Sequence, residues 1–251
     1  MGKEYLIAGN WKMHKTAGEG REFVAALART FTSAPGLTVA VFPPFTCLAA
    51  VNGLDAKIHV GAQNLYYEEK GAFTGEISPL MLQGLAEYVL VGHSERREIF
   101  RESDEVVNRK LLAALKFGLK PVLCVGESLP ERDAGRTLDK VSGQLGNGLA
   151  GVTGGDWPKL TVAYEPIWAI GTGRNASTEQ AQEVHRHICR WLGEKAPGHR
   201  IPILYGGSVR PENSLELLAQ EDISGVLVGG ASLNVESFSA IIHNGLKLLN
   251  A

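Results

Sequence analysis

Apolar positions along this chain fall into short runs separated by stretches where they recur every three or four residues. The runs predict strands at Tyr5–Gly9, Leu37–Phe42, Ile58–Ala62, Tyr88–Gly92, Pro121–Val125, Leu160–Tyr164, Ile203–Tyr205 and Gly225–Val228. Several are apolar almost throughout, Tyr88-Val89-Leu90-Val91 among them. A strand with one wet face alternates between apolar and polar residues. One without alternation is buried on both faces, as in a parallel sheet covered by helices. Helical spacing lies between the runs: Phe23, Leu27 and Phe31 form one stripe, Val106, Leu111 and Leu115 another, Val184, Ile188 and Leu192 a third. Ser177-Thr178-Glu179-Gln180 fits a capping box, and Pro211 a first helical position.

Eight strands alternating with helices in 251 residues predict an α/β fold, a single closed (β/α)8 barrel. An open doubly wound sheet usually carries a glycine-rich fingerprint after its first strand. Here the first strand runs into Asn10-Trp11-Lys12. No low-complexity linker divides the chain, so residues 1–251 are expected to form one domain.

Composition narrows the function classes. With 44% hydrophobic and 21% charged residues, the chain is neither disordered nor fibrous in character. A net charge of −2 gives no reason to expect nucleic acid. An anionic substrate must then be held by local donors rather than by a global field. Cys47, Cys124 and Cys189 are scattered, without metal-ligand spacing or a disulfide framework. Neither a metal nor a cofactor is expected. Met1 to Trp11 lacks a signal-peptide core, and no apolar run is long enough to span a membrane. The expected location is the cytoplasm, with no membrane partner.

In such barrels, active sites form where strands end, at the C-terminal face. The polar residues there are Asn10 and Lys12 after strand one, His93 and Glu95 after strand four, and Glu165 after strand six. Strands seven and eight end in Gly206-Gly207-Ser208 and Gly229-Gly230. A carboxylate ending a buried strand is either a base or half of a structural ion pair. After Glu165, Pro166-Ile167-Trp168-Ala169-Ile170-Gly171-Thr172-Gly173 combines a rigid start, an apolar middle and a glycine-rich end. That composition suits a hinged lid, or a tight core-packed connection. His93 precedes what reads as a short helix capped by Ser94, whose positive end disfavours a charged ring. A neutral imidazole still donates one N–H. The other six histidines are read as ordinary polar residues. Lys12 is a solvated lysine or a charge placed at the mouth of strand one, and Glu95 could hold it there. The two glycine pairs leave backbone open to an anion, in the loops where barrels often bind phosphate.

The loop from Gln63 to Ile77 is long for a barrel, where connections of ~2–6 residues are usual. It carries Leu65, Tyr66, Tyr67 and Phe73, which a neighbouring subunit could cover. A homodimer through residues 63–78 is therefore expected.

These residues together resemble the triosephosphate isomerase family. The matching segments are Gly9-Asn10-Trp11-Lys12-Met13, Val91-Gly92-His93-Ser94-Glu95-Arg96-Arg97, Ala163 to Gly173, Leu204-Tyr205-Gly206-Gly207-Ser208-Val209 and Leu227-Val228-Gly229-Gly230-Ala231-Ser232. Gln63 to Ser78 matches as well, while His14-Lys15 stands where many members carry asparagine and a small residue. The resemblance implies a TIM barrel that interconverts dihydroxyacetone phosphate and D-glyceraldehyde 3-phosphate in glycolysis and gluconeogenesis. It implies that Glu165 moves a proton between neighbouring carbons and that His93 polarises the carbonyl. It implies that Lys12 supplies charge with Asn10 beside it. Gly171, Ser208, Gly229 and Gly230 would then donate to the phosphate, and Thr74 would reach the partner subunit's Lys12. Two rivals remain at this stage. A Schiff-base aldolase needs a lysine on a central strand, where this chain has Glu165. A barrel that only binds a phosphorylated metabolite has little use for Glu165, His93 and Lys12 together.

Overall fold

In the computed structural model, which describes residues 3–170 and 176–250, eight parallel strands close on themselves in sequence order. They are β1 (Tyr5–Asn10), β2 (Leu37–Phe42), β3 (Ile58–Ala62), β4 (Tyr88–Val91), β5 (Lys120–Val125), β6 (Thr161–Tyr164), β7 (Ile203–Tyr205) and β8 (Gly225–Val228). The seam is β1 against β8, with Leu6 beside Gly225 and Gly9 beside Val228. Four strands match their sequence bounds, and the rest differ by a residue at one end. β4 stops at Val91 because Gly92 turns to φ 72°.

The uniform apolarity of the strands has a direct cause. Leu6, Ala8, Ala40, Phe42, Leu90, Val122, Ala163, Leu204 and Leu227 point inward and fill the barrel. Their neighbours Ile7, Val39, Val41, Val89, Leu123, Val162 and Val226 point outward under the helices. Both faces are dry along most of each strand, so apolar residues prevail on both. The filling is tight: a Cβ at Gly61 would come within 2.2 Å of the Phe42 ring.

The surrounding helices are α1 (Ala17–Leu27), α2 (Leu48–Val51), α3 (Pro79–Leu82), α4 (Ser94–Glu98), α5 (Asp104–Lys116), α6 (Leu129–Asp133), α7 (Thr137–Gly148), α8 (Thr178–Lys195), α9 (Pro211–Ala219) and α10 (Val235–Leu249). α8 begins in the expected box: Gln180 N–H donates to Ser177 Oγ, and Ser177 N–H to Gln180 Oε1. Val184, Ile188 and Leu192 are buried as their spacing predicts. Two stripes need correction. Phe31 lies past the end of α1, though it is buried. In α5 the buried positions are Val107, Lys110, Leu111, Ala113, Ala114 and Leu115, while Val106 is only half-buried.

His185 on α8 is fully buried between Tyr164 and Tyr205, at ring distances of 5.8 and 6.2 Å. Its Nδ1 lies 3.3 Å from the Asp222 carbonyl, so the neutral ring carries the proton there. Burial pushes its pKa from 6.5 down to about 3. The unfolded chain therefore binds a proton that the fold refuses. Stability from this group is complete above about pH 6.5 and is lost as pH falls towards 3, at about 1.4 kcal/mol per unit. Urea unfolding at fixed protein concentration should thus show a steeper acid loss in the wild type than in His185→Phe. Parallel curves between pH 6.5 and 4 would remove this role.

Candidate active site

Strand ends bring residues from both halves of the chain around one cavity of about 340 Å³, a size suited to a small metabolite. Asn10, Lys12, His93 and Glu165 line it, together with Ser208, Gly229 and Gly230. Ile170 and Arg210 also face it. Gly171 lies outside the described residues.

β1 delivers Asn10 and Lys12 in a strained turn. Lys12 has φ 52°, a region that side chains rarely adopt, and Asn10 Oδ1 holds it by accepting the Lys12 N–H at 3.0 Å. Gln63, which follows β3, donates from Nε2 to the carbonyls of Lys12 and Phe42, both at 2.8 Å. The Lys12 ammonium meets Glu95 Oε1 at 2.5 Å.

β4 and α4 deliver His93. The helix cap is this histidine and not Ser94 as its residue type suggests, because Nδ1 accepts the Glu95 N–H at 3.2 Å. A backbone N–H can only donate, so Nδ1 is unprotonated and the remaining proton sits on Nε2. That nitrogen stands 3.0 Å from Glu165 Oε1.

Glu165, 2% exposed, follows β6. Its second oxygen accepts the Ser94 N–H at 2.8 Å. Its backbone N–H donates to the Val125 carbonyl at 2.7 Å. The approach to β5 requires glycine at 126, where a Cβ would come within 1.8 Å of the Glu165 carbonyl oxygen. Cys124 lies beside the carboxylate. Burial and the neighbouring charge push its thiol well above the usual range, so it stays a neutral neighbour.

After Glu165 the chain makes a short 3₁₀ turn, Ile167–Ala169, seated on a residue that sequence reasoning did not single out. Glu127 is fully buried two residues past β5. Its Oε1 accepts Tyr164 Oη at 3.1 Å and Trp168 Nε1 at 2.8 Å, with Arg132 at 3.3 Å. Its carbonyl takes the Ile167 N–H. Gln63 and Glu127 both sit just past strand ends, so the rule that found Glu165 would have found them if applied to β3 and β5. Residues 171–173 of the expected lid lie outside the described residues.

A second hollow of about 220 Å³ shares Asn10, Lys12 and His93 with the first and is rimmed by Met13, Phe45 and Phe100. Met13 is 94% exposed and Phe100 62%. The loop 63–78 stands nearby in sequence and braces itself. Tyr66 stacks on Tyr67 at 4.2 Å and meets Phe73 at 4.8 Å. Leu65, expected to need outside cover, is fully buried in its own barrel. Only the tip, residues 69–76, is exposed. Buried Lys110 anchors the root, donating to Asn64 at 2.8 Å and to Glu102 at 2.5 Å.

Comparison with known proteins agrees with this geometry. A family model described as triosephosphate isomerase matches residues 5–245. A protein of that name from Moorella thermoacetica is 52% identical over 243 residues, covering 95% of this chain and 97% of the relative. Another, from Carboxydothermus hydrogenoformans, is 50% identical over 247 residues, covering 96% and 98%. A third, from Roseiflexus sp., is 50% identical over 244 residues, covering 95% and 96%. The closed barrel, the residues at its strand ends and these matches lead to one conclusion: the chain belongs to the triosephosphate isomerase family.

Proposed function

We propose that this protein interconverts dihydroxyacetone phosphate and D-glyceraldehyde 3-phosphate, as one barrel domain acting in glycolysis and gluconeogenesis in the cytoplasm. The observation that carries the reading is the buried Glu165 carboxylate within 3.0 Å of a histidine whose Nδ1 is already occupied. Base and proton donor then flank one small cavity. Substrate phosphate rests on N–H groups of Ser208, Gly229 and Gly230, together with Gly171. The first amides of the turn beginning at Gly230 have no partner within the turn and suit an anion. The carbonyl oxygen faces His93 Nε2–H and the Lys12 ammonium.

Glu165 takes a proton from the carbon beside the carbonyl, leaving an enediolate. His93 donates to one oxygen and takes a proton from the other. Glu165 returns its proton to the neighbouring carbon, so nothing is gained or lost overall. Before it acts, the carboxylate must exchange at least one of its contacts to His93 and Ser94 for substrate. The segment from Pro166 acts as a lid, its near shoulder seated on Glu127. Closure keeps water from the enediolate, which would otherwise expel its phosphate.

Two copies pair through the loop 63–78. The exposed tip and the apolar rim of the second hollow support this, since the hollow opens beside Lys12 and His93. Thr74 enters next to the partner subunit's Lys12.

A coupled assay on the purified protein tests the reading. Turnover of triose phosphate without added metal or cofactor is expected, and its absence would overturn the assignment. Lys12→Met should raise KM and lower kcat together, costing roughly 10²-fold or more in kcat/KM, because a preorganised charge is lost. Unchanged kinetics would make Lys12 an ordinary surface lysine.

A further inference from the structure

The loop that carries Lys12 holds a second left-handed lysine. Lys15 has φ 74°, again where a side chain costs free energy that surrounding contacts must offset. Its ammonium lies 4.6 Å from the Phe23 ring centroid and 5.6 Å from that of Trp11. From that aromatic shelf it donates to the Leu233 carbonyl at 2.9 Å. The nearby Glu19 carboxylate is committed to the Thr16 N–H and hydroxyl, at 2.7 and 2.8 Å.

Leu233 ends the 3₁₀ turn Gly230–Leu233, whose other end is the Gly229-Gly230 pair facing the cavity. The front of the turn is held separately. Buried Ser232 donates from Oγ to the Gly229 carbonyl at 2.7 Å and stands 3.5 Å from the Asn10 carbonyl. A Cβ at Gly229 would lie 3.7 Å from Lys12 Cε, so the lysine stem runs alongside this glycine. One short loop thus sends Lys12 along the front of the turn and Lys15 to its back.

We propose that Lys15 is a positioning residue that fixes the Gly229-Gly230 amides at a set distance from the Lys12 ammonium. The inference rests on the function proposed above and goes beyond it, because Lys15 touches neither substrate nor reacting atoms. A dianionic phosphate needs the amides and the ammonium at once. If the turn drifts while Lys12 stays, the phosphate keeps only one of them. A displacement of ~1 Å in such a site can cost on the order of 10²-fold.

Lys15→Met keeps the apolar contact with Trp11 and Phe23 but cannot donate. Inorganic phosphate titrated calorimetrically should bind about tenfold more weakly to this variant, with KM for triose phosphate rising in parallel and kcat changing little. On D-glyceraldehyde, which has no phosphate, kcat/KM should fall far less than on triose phosphate. Lys15→Arg, which can still donate to Leu233, should recover most of the phosphate affinity. The proposal is overturned if Lys15→Met binds phosphate as the wild type does. It is also overturned if both substrates lose equally, or if the arginine variant is as impaired as the methionine one. Should the wild type fail to turn over triose phosphate, the functional reading falls, while the phosphate titration still judges Lys15.

Discussion

Glu165→Gln is expected to lower kcat by roughly 10²–10⁴-fold or more, the contribution typical of a positioned general base. The amide keeps the shape of the side chain but accepts no proton. The site also shows what else changes. Wild-type Glu165 accepts from two donors, His93 Nε2–H and the Ser94 N–H. A glutamine has one acceptor oxygen, so its NH₂ must face one of those donors. Because Nδ1 of His93 is already occupied by the Glu95 N–H, the ring cannot adapt by switching tautomer without losing that bond. The control is Glu165→Asp, which keeps the carboxylate but withdraws it by one methylene and should cost about 10²-fold. Inorganic phosphate should bind both variants nearly as well as wild type, since the donors proposed for it, Ser208, Gly229 and Gly230, are other residues of the cavity lining. Near-wild-type turnover in pure Glu165→Gln would rule out this residue as the base.

Deleting the tip of the long loop should convert a dimer into a weakly active monomer. The cut belongs within residues 69–75, because Leu65 is part of the barrel core and the Tyr66 N–H is paired with the Ile77 carbonyl at 2.7 Å. Surface loops tolerate such deletions, so far-ultraviolet circular dichroism should hardly change. Activity should fall by about 10²-fold or more, since the hollow that the partner's loop would fill adjoins Lys12, His93 and Glu95. Met13 and Phe100 would stay exposed on its rim, where a lone barrel gives them no cover. Sedimentation equilibrium at low micromolar concentration reads the outcome directly. A wild-type protein that is monomeric and fully active there would end the dimer proposal. So would a deletion variant that stays dimeric.

The barrel was legible in the sequence because strand burial is a local signal. A chain with both strand faces dry writes continuous apolar runs, and the helices between them write a stripe of period 3.6. Lys110 broke the pattern in α5: a charge at a core position reads as exposed until Glu102 and Asn64 are seen around its ammonium. The site residues were legible for a topological reason. Parallel strands all end at one rim, so naming the polar residue after each strand gathers Asn10, Lys12, His93 and Glu165 without any distance being known. The partners were not legible, since a hydrogen bond between residues 71 positions apart, as from Ser94 to Glu165, depends on how barrel closure brings the ends of β4 and β6 together across β5. Residue type made Ser94 the natural cap of α4, yet the His93 ring took that position and so set its own tautomer. Composition left Leu65 without a home, and the barrel supplied one. Periodicity along the chain decided which residues face inward and which reach the rim. Which atoms meet there was decided only by packing, because contact energies vary over tenths of an ångström and sequence spacing does not resolve that scale.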